Sequence, residues 1–200
     1  MFVSITGGSG SGKTYISKQL EKIIIKKVTI IKQDNYYNDL SNICFQDRGK
    51  YNFDVPDAID FDRFYKDLLK LKNNEQINCP TYDFKTHTRL KKKNIIHPND
   101  IIIVEGIFVL TKKHIRDLFK INIYIDSLDQ VRQGRRLERD YQNRGRDIKI
   151  EKKKFQDIVL PNHKKFVEPN KKYANYIIKN NTDSILSLDK TKDFIMDNYE

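Results

Sequence analysis

The stretch Phe2-Val3-Ser4-Ile5-Thr6-Gly7-Gly8-Ser9-Gly10-Ser11-Gly12-Lys13-Thr14 decides the fold. Five β-prone residues run straight into a glycine-rich loop. The residues after the loop carry Ile16, Leu20, Ile23 and Ile24 at helical spacing, with Lys and Glu between them. Gly7 to Thr14 fits G-x-x-x-x-G-K-[ST] in full, in the strand–loop–helix context the motif requires. Glycines let successive backbone N–H groups turn inward toward phosphate oxygens, and the helix N-terminus adds partial positive charge. Gly7, Gly8, Ser9, Gly10, Ser11 and Gly12 are therefore expected to cradle a nucleoside triphosphate. Lys13 is expected to reach its β- and γ-phosphates, and the Thr14 hydroxyl to ligate Mg²⁺.

Outward from this loop the chain alternates strand and helix. Residues 28–31, 101–104, 121–125 and 176–178 read as buried strands, the second of them preceded by the turn signal Pro98-Asn99-Asp100. Residues 61–72 read as a helix with Phe61, Phe64, Tyr65, Leu68 and Leu69 on one face, and residues 182–196 as a last helix capped by Thr182 or Asp183. This rhythm predicts an α/β fold of the P-loop NTPase type, a parallel sheet with helices on both faces. The first two strands are expected to end side by side. Residues 76–97 break the rhythm and read as an inserted β-hairpin, with extended runs at 77–84 and 93–96. An arginine-rich segment, about 132–150, reads as a helical lid. No linker or repeat divides the chain, so 1–200 reads as a single domain.

Two hundred residues suffice for a real core without disulfides. No apolar run approaches the roughly 20 residues of a membrane span. Cys44 and Cys79 lack metal spacing and point to a reducing compartment. With a strand starting at Phe2 no leader peptide is expected, and a cytoplasmic location is. The net charge of +11 implies anionic company. Nucleic acid, a membrane surface and phosphorylated small molecules all fit, and composition does not choose among them.

Three features bear on what is done with the triphosphate. Asp34 follows the second strand, and ligands of open parallel sheets sit beyond the carboxyl ends of the strands. A carboxylate there can take the proton of an acceptor hydroxyl, or serve as a helix cap or an ordinary loop acid. Glu105 ends the strand 101–104, where P-loop proteins place a Mg²⁺-organising acid, although Asp is commoner there. Arg132, Arg135, Arg136 and Arg139 share one helical face, and Arg144 and Arg146 follow around Gly145. Arginine's planar fork suits phosphate oxygens at a site where charge develops. A solvated or nucleic-acid-facing surface is the other reading of these arginines. Lys91-Lys92-Lys93 and Lys152-Lys153-Lys154 read as solvated runs, and His97, His114 and His163 show no ligand spacing.

Further motifs carry a family likeness. They include Gln33-Asp34-Asn35-Tyr36-Tyr37, Asn52-Phe53-Asp54-Val55-Pro56-Asp57-Ala58-Ile59-Asp60 and Pro80-Thr81-Tyr82-Asp83-Phe84-Lys85-Thr86-His87-Thr88-Arg89. Arg135-Arg136-Leu137-Glu138-Arg139-Asp140 and Glu168-Pro169-Asn170-Lys171-Lys172-Tyr173-Ala174 complete them. With these the chain resembles the uridine kinases, within the wider group of phosphoribulokinase and pantothenate kinase. The resemblance implies transfer of the γ-phosphate of ATP (or GTP), with Mg²⁺, to the 5′-hydroxyl of uridine or cytidine. It implies Asp34 as catalytic base beside Lys13 and Arg136, and Asp54 as the ribose-binding carboxylate. Tyr82 and His87 would read the pyrimidine edge between Phe53 and Phe84. Arg136 and Arg139 would lie near the sugar and the transferred phosphate, with Arg144 and Arg146 as the lid over the donor. On the residues alone, Tyr82 and His87 read as a packed aromatic and a capping imidazole. The family also suggests a homotetramer.

Two departures stand out. Val55 occupies a position where the family usually has His, and Lys154 one where it often has Gln. Both bear on acceptor preference. A kinase of the same group with a phosphoribulokinase-like or pantothenate kinase-like acceptor remains an alternative. So does a nucleotide-switched nucleic-acid-binding protein, although no RNP or KH motif is present. Small-molecule substrates, without nucleic acid or membrane, are the expected partners.

Overall fold

The computed structural model describes residues 1–181 and 186–199. The caps expected at Thr182 or Asp183 lie outside the described residues. In chain order the regular elements are β1 (Phe2–Gly7), α1 (Lys13–Ile23), β2 (Val28–Lys32), α2 (Phe45–Arg48) and α3 (Phe61–Lys72). Four short strands follow: β3 (Ile77–Cys79), β4 (Tyr82–Asp83), β5 (Thr88–Arg89) and β6 (Asn94–Ile96). Then come β7 (Ile101–Gly106), α4 (Lys113–Arg116), β8 (Ile121–Asp126), α5 (Asp129–Arg144), α6 (Ile148–Lys154), α7 (Leu160–Asn162), β9 (Tyr176–Lys179) and α8 (Leu186–Asp197).

Five strands form a parallel sheet in the order β2-β7-β1-β8-β9. The two-residue alternation of a strand sorts their side chains onto two cores. Val3, Ile5, Ile101 and Ile103 join Ile16 and Leu20 of α1 and Leu188 and Ile195 of α8. Phe2, Ile102 and Val104 face the other way, toward Phe64, Leu68 and Leu71 of α3. Those three α3 residues fall at i, i+4 and i+7, and Asp60 caps the helix by accepting the Arg63 N–H at 3.0 Å. Leu20 and Phe64 are wholly buried, so each contributes roughly 1.5–3 kcal/mol through burial alone.

The expectation that β1 and β2 end side by side is corrected by the topology: β7 lies between them. Its register brings Glu105 beside both Ile5 and Lys32. The phosphate loop and the residues after β2 are therefore bridged by a third strand that carries its own acid. The insertion is two nested antiparallel pairs, β3 with β6 and β4 with β5. Pro80, which has no N–H to offer a ladder, falls between the two pairs. The helical path from α6 continues through wide turns at Phe155–Val159 and His163–Val167 on either side of α7. No helix of the described residues is long and apolar enough to cross a membrane.

Candidate active site

The loop between β1 and α1 takes backbone shapes that side chains resist. Gly10 and Gly12 sit at φ +81° and +96°, in the left-handed region that glycine enters freely. Lys13 folds back over the loop, and its Nζ donates to the Gly8 carbonyl at 2.9 Å. Burial lowers its pKa from 10.5 to about 8; Glu105 and Asp34 oppose that shift, while Arg139 and Arg132 add to it. The ammonium thus occupies a site whose surroundings favour the arrival of an anion.

Two acids converge on this lysine. Asp34 stands in the tight turn Gln33–Tyr36 that follows β2. Gln33 anchors that turn across the sheet end, its Oε1 accepting the Phe108 N–H at 2.8 Å. Glu105 accepts the Thr14 hydroxyl at 2.8 Å. Burial, with Asp34 nearby, raises the Glu105 pKa, and Lys13 and the Thr14 hydrogen bond act against that rise. Among the described residues no three His, Cys, Asp or Glu side chains cluster as a metal site. Thr14 and Glu105 nevertheless supply a hydroxyl and a carboxylate, a donor set that fits Mg²⁺, which typically takes one or two protein oxygens and completes its shell with phosphate and water.

Farther out, Asp54 and Arg136 form a buried two-pronged pair, Nη1 to Oδ1 at 3.1 Å and Nη2 to Oδ2 at 3.4 Å. Burial works against the Arg136 charge, but Asp54 outweighs it and holds the guanidinium pKa above its ordinary value. Each Asp54 oxygen keeps acceptor capacity beyond the one bond it receives. Next to this pair the Phe53 and His87 rings stack with centroids 4.5 Å apart, and the Arg144 guanidinium covers the Phe84 ring at 4.1 Å. His87 sits at φ +57°, at the turn of the inner hairpin. Burial lowers its pKa to about 4, helped by Arg146, Lys154 and Arg144, so the imidazole is neutral at pH 7. Its Nε2 lies 3.5 Å from Arg146 Nη2, and its buried Nδ1 has no partner among the described residues. A neutral ring that accepts from Arg146 at Nε2 must carry its proton at Nδ1.

The arginines of α5 and the turn after it are gathered by one acid. Asp140 is wholly buried and lies 2.9 Å from Arg139, 3.2 Å from Arg144, 3.5 Å from Arg136 and 3.9 Å from Arg146. Burial alone would raise its pKa, but Arg139, Arg144 and Arg136 hold it below the ordinary carboxylate value. Glu151 of α6 adds a second anchor, 3.5 Å from Arg146.

Most of these groups border one cleft of about 240 Å³, with Asp140 and Glu151 behind its arginines. Its lining runs from Ser9, Gly10, Gly12, Lys13 and Thr14 through Asp34 and Glu105 to Phe53, Asp54, Phe84 and His87. Arg136, Arg139, Arg144 and Arg146 close it on the remaining side. A strand–loop–helix cradle, a pair of acids and a ring of arginines can hold a polyphosphate and present a hydroxyl to it. Against that geometry the comparisons with known proteins are direct. The model of the phosphoribulokinase / uridine kinase family matches residues 2–187. The chain belongs to this family. It is 40% identical over 190 residues to the uridine kinase of Alkaliphilus metalliredigens (strain QYMF), covering 94% of this chain and 91% of that one. It is 42% identical over 179 residues to the uridine kinase of Clostridium tetani (strain Massachusetts / E88), covering 89% and 86%. A possible uridine kinase from Bacillus stearothermophilus superposes with a TM-score of 0.62 at 21% identity, covering 90% and 88%. Phosphoribulokinase from Rhodobacter spheroides does so at 0.60 and 13%, covering 86% and 67%.

Most residues that the family likeness singles out meet in the cleft, and one does not. Tyr82 is buried behind it, packed on Tyr37 and Phe84 with centroids 5.4 and 5.3 Å away, and its hydroxyl has no partner among the described residues. Gly7, Gly8 and Ser11 belong to the loop's inner side and do not border the cleft. Arg132 shares its buried helical face with Arg136 but, one turn earlier on α5, packs against the loop and does not line the cleft. Lys154 is not a solvated lysine like Lys152 and Lys153. It is half-buried, lines the cleft and donates to the Gly49 carbonyl at 3.4 Å. Tyr37 and Asp140 went unread in the sequence. Asp140 is four residues from both Arg136 and Arg144, a helical spacing that marks it as their partner.

Proposed function

We propose that this protein is a pyrimidine ribonucleoside kinase that transfers the γ-phosphate of ATP to the 5′-hydroxyl of uridine or cytidine. The observation that carries the reading is the placement of Asp34 and the Asp54–Arg136 pair in the cleft that also holds the phosphate loop. The named relatives supply the acceptor class.

The loop N–H groups and Lys13 bind the triphosphate, and the Arg136, Arg139, Arg144 and Arg146 guanidinia face the phosphate that moves. Thr14 and Glu105 would hold Mg²⁺, which when bound neutralises charge on the phosphate oxygens. Asp54 accepts the two ribose hydroxyls on the acceptor capacity that Arg136 leaves free, which selects for ribose over deoxyribose. Neutral His87, in the cleft lining, faces the pyrimidine edge, and Phe53 and Phe84 wall the ring. Asp34 takes the proton of the 5′-hydroxyl as its oxygen attacks in line. Most of the acceleration comes from alignment and charge stabilisation.

A screen of acceptors at saturating ATP–Mg²⁺ tests this. Uridine and cytidine are expected to drive ATP consumption, and deoxyuridine much less. Activity with ribulose 5-phosphate or pantothenate in place of the nucleosides would overturn the acceptor assignment.

A further inference from the structure

Arg132 is an unusual member of the arginine series because its side chain is 1% exposed. Among the described residues its one carboxylate partner is Asp129 at 2.6 Å, three residues back on the same helix and 46% exposed. A buried guanidinium with a half-exposed counter-charge is a costly arrangement for a purely structural role. Its guanidinium also meets the phosphate loop. Nη1 donates to the Ser9 carbonyl at 3.4 Å. The guanidinium fills the space that a side chain on Gly8 would need, and the Arg132 backbone carbonyl fills the space beside Gly10. From below, the Phe155 ring faces the guanidinium at 5.7 Å. Nε is buried and unpartnered among the described residues. Its charge reaches Lys13 through the loop.

We propose that Arg132 is a positioning residue: it braces Gly8 and Gly10 from beneath and so holds the phosphate loop in its anion-binding shape. Touching neither acceptor nor cleft, it acts on the nucleotide through the loop backbone. It also ties the first turn of α5 to that backbone, while the arginines that line the cleft extend from later turns of the same helix. The inference uses the reading of Gly7 to Thr14 as a phosphate cradle and is independent of which alcohol is phosphorylated.

The geometry yields a double-variant test, because the two glycines meet different parts of Arg132. Gly8 has ordinary backbone angles and is blocked only by the side chain, whereas Gly10 is blocked by backbone and sits at positive φ. Binding of inorganic tripolyphosphate, followed by calorimetry, reads the cradle alone. Gly8→Ala and Arg132→Ala are each expected to weaken binding about tenfold, and the double variant by no more than about thirtyfold because both disturb one contact, whereas Gly10→Ala, which meets only the Arg132 backbone, combines with Arg132→Ala multiplicatively. Losses that multiply in the Gly8 double variant, or an Arg132→Ala that binds like the parent protein, would overturn the proposal. Arg132→Lys keeps the charge and the stem but loses the fork, so it reports even if truncation does not fold. In that variant KM for ATP is expected to rise about tenfold with KM for the acceptor within about twofold. Unchanged KM for ATP would equally overturn it. A failed acceptor assignment would leave tripolyphosphate binding untouched, so the two failures are distinguishable.

Discussion

Raising the pH should move nucleotide affinity and folding stability in opposite directions, because both depend on Lys13. Its pKa falls from 10.5 to about 8 on folding, with burial as the main cause. At about 1.4 kcal/mol per pH unit, that drop corresponds to roughly 3 kcal/mol held against the folded state at neutral pH. The folded pKa lies below the unfolded one, so between about pH 8 and 10.5 the unfolded chain binds more protons. Stability therefore rises with pH across that window, by up to the same figure. Nucleotide binding requires the ammonium, so KM for ATP should be flat below about pH 8. Above it KM should climb toward about tenfold per pH unit. Steady-state kinetics between about pH 7 and 9.5 at saturating acceptor, paired with urea unfolding at the same pH values, measures both. A KM that stays flat to pH 9.5, or stability that falls through the window, would refute the electrostatic account of Lys13.

Other expectations follow from individual contacts. Asp54→Ala removes the counter-charge of a buried arginine and should lower stability by about 3–5 kcal/mol; its Asn variant, which keeps the volume, should raise acceptor KM more than ATP KM in the same kinetic assay. Tyr82→Phe deletes a buried hydroxyl without a partner among the described residues, so the melting temperature should hold or rise slightly; a large rise in acceptor KM would show that the hydroxyl turns toward bound nucleoside. Asp140→Asn leaves four arginines with a neutral neighbour and should cost about 3 kcal/mol, a fall of roughly 6–12 °C in melting temperature for a chain of this size. Its kcat should fall as well, and a variant with unaltered melting and turnover would remove Asp140 from its gathering role.

The legible part of this molecule is the part built from short-range rules. The glycine loop, the strands feeding it and the helix at Phe61–Lys72 each follow from spacing within a dozen residues. Strand order does not, since nothing between Gly7 and Val28 states that β7 will pair with both β1 and β2. The arginines were visible as one helical face, yet their division was hidden. Arg132 faces Gly8 because the first turn of α5 lands under the loop, while Arg136 meets Asp54 across 82 positions. Such meetings depend on tertiary placement and leave no local mark. Lys154 was misplaced for the same reason: it shares a run with two exposed lysines, and only the packing of α6 turns it inward. Tyr82 read on the residues alone as a packed aromatic, and its burial against the ring of Tyr37 agrees with that rather than with the base-reading role the family likeness implies.

The central claim is that the Asp34 carboxylate accepts the acceptor's proton beside the phosphate cradle. Turnover of Asp34→Asn with uridine and ATP, measured together with ATP affinity, tests it most directly. The account predicts a loss in kcat of about 10²–10⁴-fold with ATP binding retained. Turnover within about threefold of the parent protein would contradict it.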